Sequence, residues 1–346
     1  MGRYILKRLV YMVLVFILLT FVLYSFYQLM PINRAYQDAK QDVSTMKRLS
    51  QEEKDSKFKE LYEMYQRKYG TDVPEVWKRY LRWLGVYPNY YGEYKGLFTG
   101  DVGYSYDHRM DVISLVGPYI RNSFLIGLFT QIAVLGVTIP LGIKCAVKKN
   151  SRFDHGVQIF SLFGFSTPSF ITYIIFIVLF CSILKIFPVS GMKTAGTNYT
   201  GMKAVLDTLW HIALPTICLI YSSLAGTTRI CRASMIDALS LDCIRTARAK
   251  GLTEKSVIYS HAWRNAIIPM VSIIVGGFFA TISGAMILET MFGFKGMGLL
   301  MLNAARNADY DLIMFLEVIY TFLGLFSNLV IDLTYGIVDP RVRISK

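Results

Sequence analysis

The chain has 346 residues, with 37 Lys and Arg against 24 Asp and Glu, giving a formal net charge of +13. Hydrophobic residues make up 53% and charged residues 18%, where a soluble domain carries roughly 25% charged residues; two ordinary soluble domains and an intrinsically disordered chain are both excluded. Five cysteines, odd in number, exclude a secreted disulfide scaffold, and the excess basic charge sits on no compact domain that would grip nucleic acid. This is the composition of an integral membrane protein.

A bilayer core of roughly 30 Å takes about 20 helical residues. Uncharged runs of that order cover residues 9–30, 122–143, 156–184, 208–228 and 265–288, and a last run, 312–338, carries Glu317 and Asp332. They predict an all-α polytopic protein with six transmembrane helices. Its organisation reads as a cytoplasmic start and first span (1–30), an extracytoplasmic helical insertion (31–121) and a five-helix core (122–346) with a cytoplasmic loop at 229–266. The first run is too long for a signal-peptide core and is expected to stay as an anchor. Asn198-Tyr199-Thr200 fits a glycosylation acceptor but reads as a polar turn.

Lys and Arg in short loops set orientation. Arg3, Lys7 and Arg8, the loop around Lys148, the loop from Arg229 to Arg264 and the tail with Arg341 put 17 basic residues on one side, against five in the opposite short loops. Both termini are therefore expected in the cytoplasm, in a plasma or inner membrane, which agrees with an even number of spans.

The external segment 31–121 holds 15 basic and 13 acidic residues, as a solvated folded unit would. Ser50 with Glu53 forms a capping box that opens a helix. Phe58, Tyr62, Tyr65 and Tyr69 make one apolar stripe along it, and Gly70 stops it. Asp72-Val73-Pro74 restarts a second helix with Val76, Tyr80, Trp83 and Leu84 on one face. The stripes read first as a small cap packing on itself, and second as a docking surface.

Catalytic constellations are missing from the sequence. It has no G-x-x-x-x-G-K-[ST] phosphate loop, no H-E-x-x-H, no G-x-S-x-G and no C-x-x-C. His108, His155, His211 and His261 are scattered, with His211 beside Trp210 reading as an interfacial anchor. Intramembrane acids are functional candidates by default: Glu317 lies shallow in the last span, and Asp332 lies near its cytoplasmic end, within reach of Arg341 or Arg343. Pro140, Pro168, Pro215 and Pro269 fall in or beside spans, where the freed carbonyls need neighbouring helices or a wet cavity. A transporter suits that pattern, though not exclusively.

The cytoplasmic stretch from Arg229 to Pro269 is the informative one. Residues 234–250 can form one slim helix with Arg245 and Arg248 on a shared face. Gly251 supplies the left-handed stop. Thr253 caps a second helix with Glu254 in its first turn. Such an elbow fits a rigid protrusion offered to a cytoplasmic partner, and it fits equally a surface helix held by anionic headgroups.

The residues Asp242-Cys243-Ile244-Arg245-Thr246-Ala247-Arg248-Ala249-Lys250-Gly251-Leu252, followed by Arg264-Asn265-Ala266-Ile267-Ile268-Pro269, resemble the cytoplasmic coupling loop of membrane-spanning subunits of dipeptide/oligopeptide ABC importers. Arg245 and Thr246 stand where the general pattern has glutamate and alanine, as in the peptide-importer subgroup. Further matches occur in order along the chain: Arg3-Tyr4-Ile5-Leu6-Lys7-Arg8-Leu9, Leu29-Met30-Pro31, Gly100-Asp101-Val102-Gly103-Tyr104-Ser105, Pro168-Ser169-Phe170, Leu288-Glu289-Thr290-Met291-Phe292 and Asp339-Pro340-Arg341-Val342-Arg343. The stretch from about Arg34 to Gly70 is longer and more charged than the family pattern.

The resemblance implies a non-enzymatic permease subunit that forms half of a peptide pathway. It implies a second, homologous permease subunit, two cytoplasmic ATPase subunits and an extracytoplasmic solute-binding protein that delivers peptide. ATP and Mg are then expected on the ATPase subunits, with no cofactor, no metal and no catalytic residue in this chain. Asp242 to Leu252 form the coupling loop, and Glu289, Glu317 and Pro168 are candidates for translocation or gating. Nickel or another small solute is the alternative cargo. From another class, the chain is a membrane anchor or sensor, although six spans with broken helices exceed what an anchor needs.

Overall fold

The computed structural model describes residues 2–29, 34–46 and 50–338. The first helix, α1 (Gly2–Gln28), is followed by α2 (Arg34–Thr45), α3 (Gln51–Lys68) and α4 (Val76–Leu84). A two-residue β-hairpin, β1 (Tyr104–Ser105) with β2 (Met110–Asp111), leads into α5 (Val112–Val147). Then come α6 (Arg152–Ser166), α7 (Ser169–Ile183), α8 (Met202–Ser240), α9 (Asp242–Ala249) and α10 (Glu254–Ser283). The short helices α11 (Met286–Phe292) and α12 (Met297–Arg306) precede α13 (Tyr310–Val338). The expected all-α class holds. Five helices are long and apolar enough to cross a membrane, or six if the bent pair α6–α7 is one span. Many of their large apolar side chains are exposed, among them Leu14, Leu18, Phe163 and Ile183, which suits a hydrocarbon solvent rather than water.

Three expectations change in detail. The third apolar run is not one rod: α6 and α7 meet at a bend of 103°, because Thr167 is extended and Pro168 starts a new helix. The fifth run stops at Ser283, since Gly284 takes φ +80° and Met286 opens a separate helix. The expected single helix over 234–250 is two: Leu241 is extended at ψ 147°, ending α8 and starting α9.

The chain forms two compact units, residues 1–117 with 301–322, and residues 118–300 with 323–346. In the first, the Ser50–Glu53 capping box is present, and the tyrosine stripe of α3 faces α2. Phe58 stacks on Tyr62 and both meet Tyr36, while Tyr65 donates a 2.6 Å hydrogen bond to Asp42. That bond, with burial second, pushes the Tyr65 hydroxyl up to about 12. The stripe is thus largely used inside the cap. Asp72 does not cap α4 but pairs with Arg82 at 2.7 Å, and Tyr80 and Leu84 pack with Tyr24 of α1 and Met314 of α13.

In the second unit α8 is the central post. Thr130 and Thr216 hydrogen-bond at 3.1 Å. Added Cβ atoms at Gly142 and Gly164 would press into Cys231 and Tyr221 respectively, so small residues let backbones approach as they do between membrane helices. Asp154, fully buried at the start of α6, receives two 2.7 Å bonds from Arg232 of α8 and one from the Asn150 amide. His211, expected at an interface, is instead buried, its Nδ1 2.8 Å from the Asp207 carbonyl.

Candidate functional site

The stretch read from the sequence as an elbow is built from α9, Gly251 and the start of α10. One core holds Ile143 and Ala146 of α5, Cys231, Met235 and Ala238 of α8, Ile244 and Ala247 of α9, and Val257, Ile258 and Ala262 of α10. Within α9 only Ile244 and Ala247 are buried. Their i, i+3 spacing roots one face of an eight-residue helix that has little stability of its own. Ala247 therefore seats the helix in its own chain rather than meeting a partner. The other face, with Asp242, Arg245, Thr246, Arg248 and Ala249, is exposed, and so are Lys250, Gly251 and Leu252.

The turn is closed by backbone bonds. The Gly251 amide donates to the Arg248 carbonyl at 2.9 Å and the Leu252 amide to the Ala247 carbonyl at 3.4 Å, the paired bonds of a Schellman stop. Gly251 sits at φ +75°, and a Cβ there would meet nothing within 4 Å. Thr253 Oγ1 then accepts from the Ser256 amide to start α10. Arg248 is spent on this joint, donating to both oxygens of Glu254 at 3.2 and 2.6 Å. That pairing holds the Arg248 guanidinium above its ordinary range. Among the described residues Arg245 pairs only with Asp242, at 3.2 Å, and the two side chains are 74% and 93% exposed. Leu241, Leu252 and Tyr259 add exposed apolar surface beside it. Leu241 and Tyr259 were not picked out from the sequence; the signal was a large apolar residue next to a polar helix without a period that buries it.

The translocation candidates lie in three different settings. Pro168 follows Thr167 in the α6–α7 bend and is the residue just before α7, at φ −53° and ψ 134°. Glu317 is half-buried on α13, near enough to Tyr27 to interact electrostatically, and has no hydrogen-bond or ion-pair partner among the described residues. Glu289 is 3% exposed. Its Oε1 accepts from Ser123 Oγ at 2.8 Å and from the Ala285 amide at 3.2 Å, and its Oε2 from the Leu299 amide at 2.9 Å. The G-D-x-G-x-S element is also anchored: Ser105 Oγ donates to Asp309 at 2.5 Å and the Tyr104 amide to Asp311 at 3.2 Å. Gly103, at φ +96°, leaves the room that the Asp311 carboxylate occupies. Met30 and Pro31, and the ending at 339–343 with the partners expected for Asp332, lie outside the described residues.

Comparison with known proteins gives this geometry its context. The chain is 33% identical over 282 residues to the oligopeptide transport system permease protein AppB of Bacillus subtilis, covering 81% of this chain and 84% of that protein. It is 32% identical over 294 residues to the dipeptide transport system permease protein DppB of Escherichia coli K12, covering 80% and 84%. Among solved structures, a chain of the MetNI methionine ABC transporter in an inward-facing conformation superposes with a TM-score of 0.52 at 12% identity, over 66% of this chain and 97% of that one; it shares the fold. The profile of the binding-protein-dependent transport system inner membrane components matches residues 138–344, the core that contains the elbow. The chain belongs to that family of membrane-spanning permease components.

Proposed function

We propose that this chain is one of two permease subunits of a peptide-importing ABC transporter, with both termini in the cytoplasm. It works with a second permease subunit, two ATPase subunits and an external solute-binding protein. The elbow carries the proposal. Ile244 and Ala247 root it in a core shared by α5, α8 and α10, so a push on α9 reaches those membrane helices instead of bending a loop. Its outer face leaves Arg245, Lys250 and Leu252 exposed for an ATPase groove. Peptide as cargo follows from the AppB and DppB relatives.

In this reading ATP binding closes the ATPase pair, the elbow follows, and the helices switch the exposed side of the path as packed elements do, in discrete steps. Glu317 attracts the peptide amine or tunes gating, and the bend at Pro168 supplies backbone that lines the path. The test is reconstitution of the complete transporter in vesicles with labelled di- and oligopeptides and with nickel as separate cargoes. ATP-dependent peptide uptake is the expected result. Uptake of nickel alone replaces the cargo, and no uptake of any solute with intact assembly returns the chain to the anchor class. Glu317→Gln is expected to change uptake kinetics at unchanged membrane abundance; unchanged kinetics leave Glu317 a structural residue.

A further inference from the structure

Glu289 is held too completely to be a swinging gate. Its carboxylate and Ser123 together cap the start of α12: the Met297 amide donates to Ser123 Oγ at 2.8 Å, Ser123 donates on to Glu289, and the Leu299 amide donates to Glu289 Oε2 at 2.9 Å. A helix start favours negative charge because its amides have no partner within the helix. Asn122 Nδ2 adds a bond to the Lys295 carbonyl at 2.9 Å. The clamp is also tightly packed. A Cβ at Gly284 or Gly296 would strike the Glu289 carboxylate, and one at Gly298 would strike the Met286 backbone. Leu288, Phe292, Phe294 and Met297, sequence neighbours of Glu289, are each no more than 1% exposed.

The same end of α5 is locked to α10. Cβ atoms added at Gly127 and Gly277 would strike Thr281 and Gln131, and Phe124 meets Phe278 edge to face at 6.0 Å. Opening the clamp would take the hydrogen bonds from a buried carboxylate, which the low-dielectric surroundings penalise.

We propose that Glu289 is a positioning residue that welds the α11–α12 turn to the outer end of α5, and that this weld stays closed through every transport cycle. The outer ends of α5 and α10 and the α11–α12 turn move as one body, and the switch between outward and inward access is made elsewhere. This rests on the importer reading above.

The test uses the complete transporter in vesicles. Asn122 and Lys295 are changed to cysteine together, and a short, membrane-impermeant thiol cross-linker is applied from outside; four of the native cysteines are buried, and the exposed one, Cys243, lies in the cytoplasmic elbow. Peptide uptake before and after cross-linking is expected to be equal, and loss of uptake on cross-linking overturns the proposal. In a second arm, Glu289→Gln puts an amide donor against N–H and O–H donors. Uptake is expected to fall about tenfold, the equivalent of one charge-assisted hydrogen bond, with ATPase subunits still bound and basal ATP hydrolysis retained. The cross-link is then expected to restore uptake in the Glu289→Gln background. Wild-type uptake in Glu289→Gln, or no rescue by the cross-link, overturns the role assigned to Glu289. Absence of uptake in the unmodified transporter would instead strike the importer reading itself.

Discussion

The elbow around Gly251 and the clamp around Glu289 use the same local parts and put them to opposite ends. Each has a glycine turn, a helix start beyond it and an acidic side chain at that start: Gly251, Thr253 and Glu254 in one, Gly293, Gly296 and Glu289 in the other. In the elbow the charges lie in water, where an ion pair gains little and exchanges partners at little cost. In the clamp the carboxylate is buried, and both of its oxygens accept hydrogen bonds, from Ser123 Oγ and the Ala285 and Leu299 amides. The elbow therefore keeps its chemistry available to another protein, whereas the clamp has none left to offer. Burial rather than charge separates the two regions.

That contrast breaks first where a buried charge loses its partner. Arg232→Ala leaves the fully buried Asp154 unpaired, and removing one member of such a pair costs about 3–5 kcal/mol. Thermal unfolding of the detergent-solubilised transporter is expected to shift down by several degrees. An unchanged midpoint would mean that burial does not control the worth of charges in this chain. Ser123→Ala removes the two hydrogen bonds that its hydroxyl makes, one from the Met297 amide and one to Glu289, a loss of about 1–3 kcal/mol. It should register in the same melt, between the first variant and none. Arg248→Ala, in the exposed elbow, is expected to leave the melt where it is and to lower ATPase co-purification, because it unties α9 from Glu254 without exposing a core.

The smallest effect belongs to the cap formed by α2 and α3. Tyr65 ionises more easily in the unfolded chain, near 10.0, than in the fold, where its bond to Asp42 pushes it up to about 12. A pKa raised on folding adds stability that is complete below the unfolded value and is lost as pH climbs through the folded one. The pairing of α2 with α3 should therefore weaken between pH 10 and about 12. Tyr65→Phe is expected to remove one late-titrating hydroxyl from the tyrosinate absorbance curve; a curve of unchanged shape would contradict the contact.

The spans were legible because hydrocarbon forces long uncharged runs on any helix that crosses it, and the capping box, the tyrosine stripe and the Gly251 stop were legible because each is local chemistry. The break at Leu241 was not, since no glycine or proline marks it; α9 leaves the line of α8 so that Ile244 and Ala247 can reach a core made with α5 and α10. The bend at Pro168 was visible as a proline, but an apolar run has no signal for the angle. Glu289 was reached through the match of Leu288-Glu289-Thr290-Met291-Phe292 to the permease pattern. Its closed hydrogen bonds depend on Ser123, which is 166 residues away, and the local hint was the cluster of glycines that surrounds it.

The central claim is that the elbow is the joint between this chain and the ATPase subunits, and Gly251→Val tests it most directly. At φ +75° a β-branched side chain costs about 1–2 kcal/mol in local strain, too little to unfold the chain. A Cβ there meets nothing within 4 Å in the chain itself, so the substitution adds bulk on a side left open for a docked partner. With the complete transporter purified from membranes, the account predicts a normal amount of inserted permease, intact binding-protein docking, and loss of either ATPase co-purification or peptide uptake. Wild-type values for both co-purification and uptake would show that this loop is not the joint.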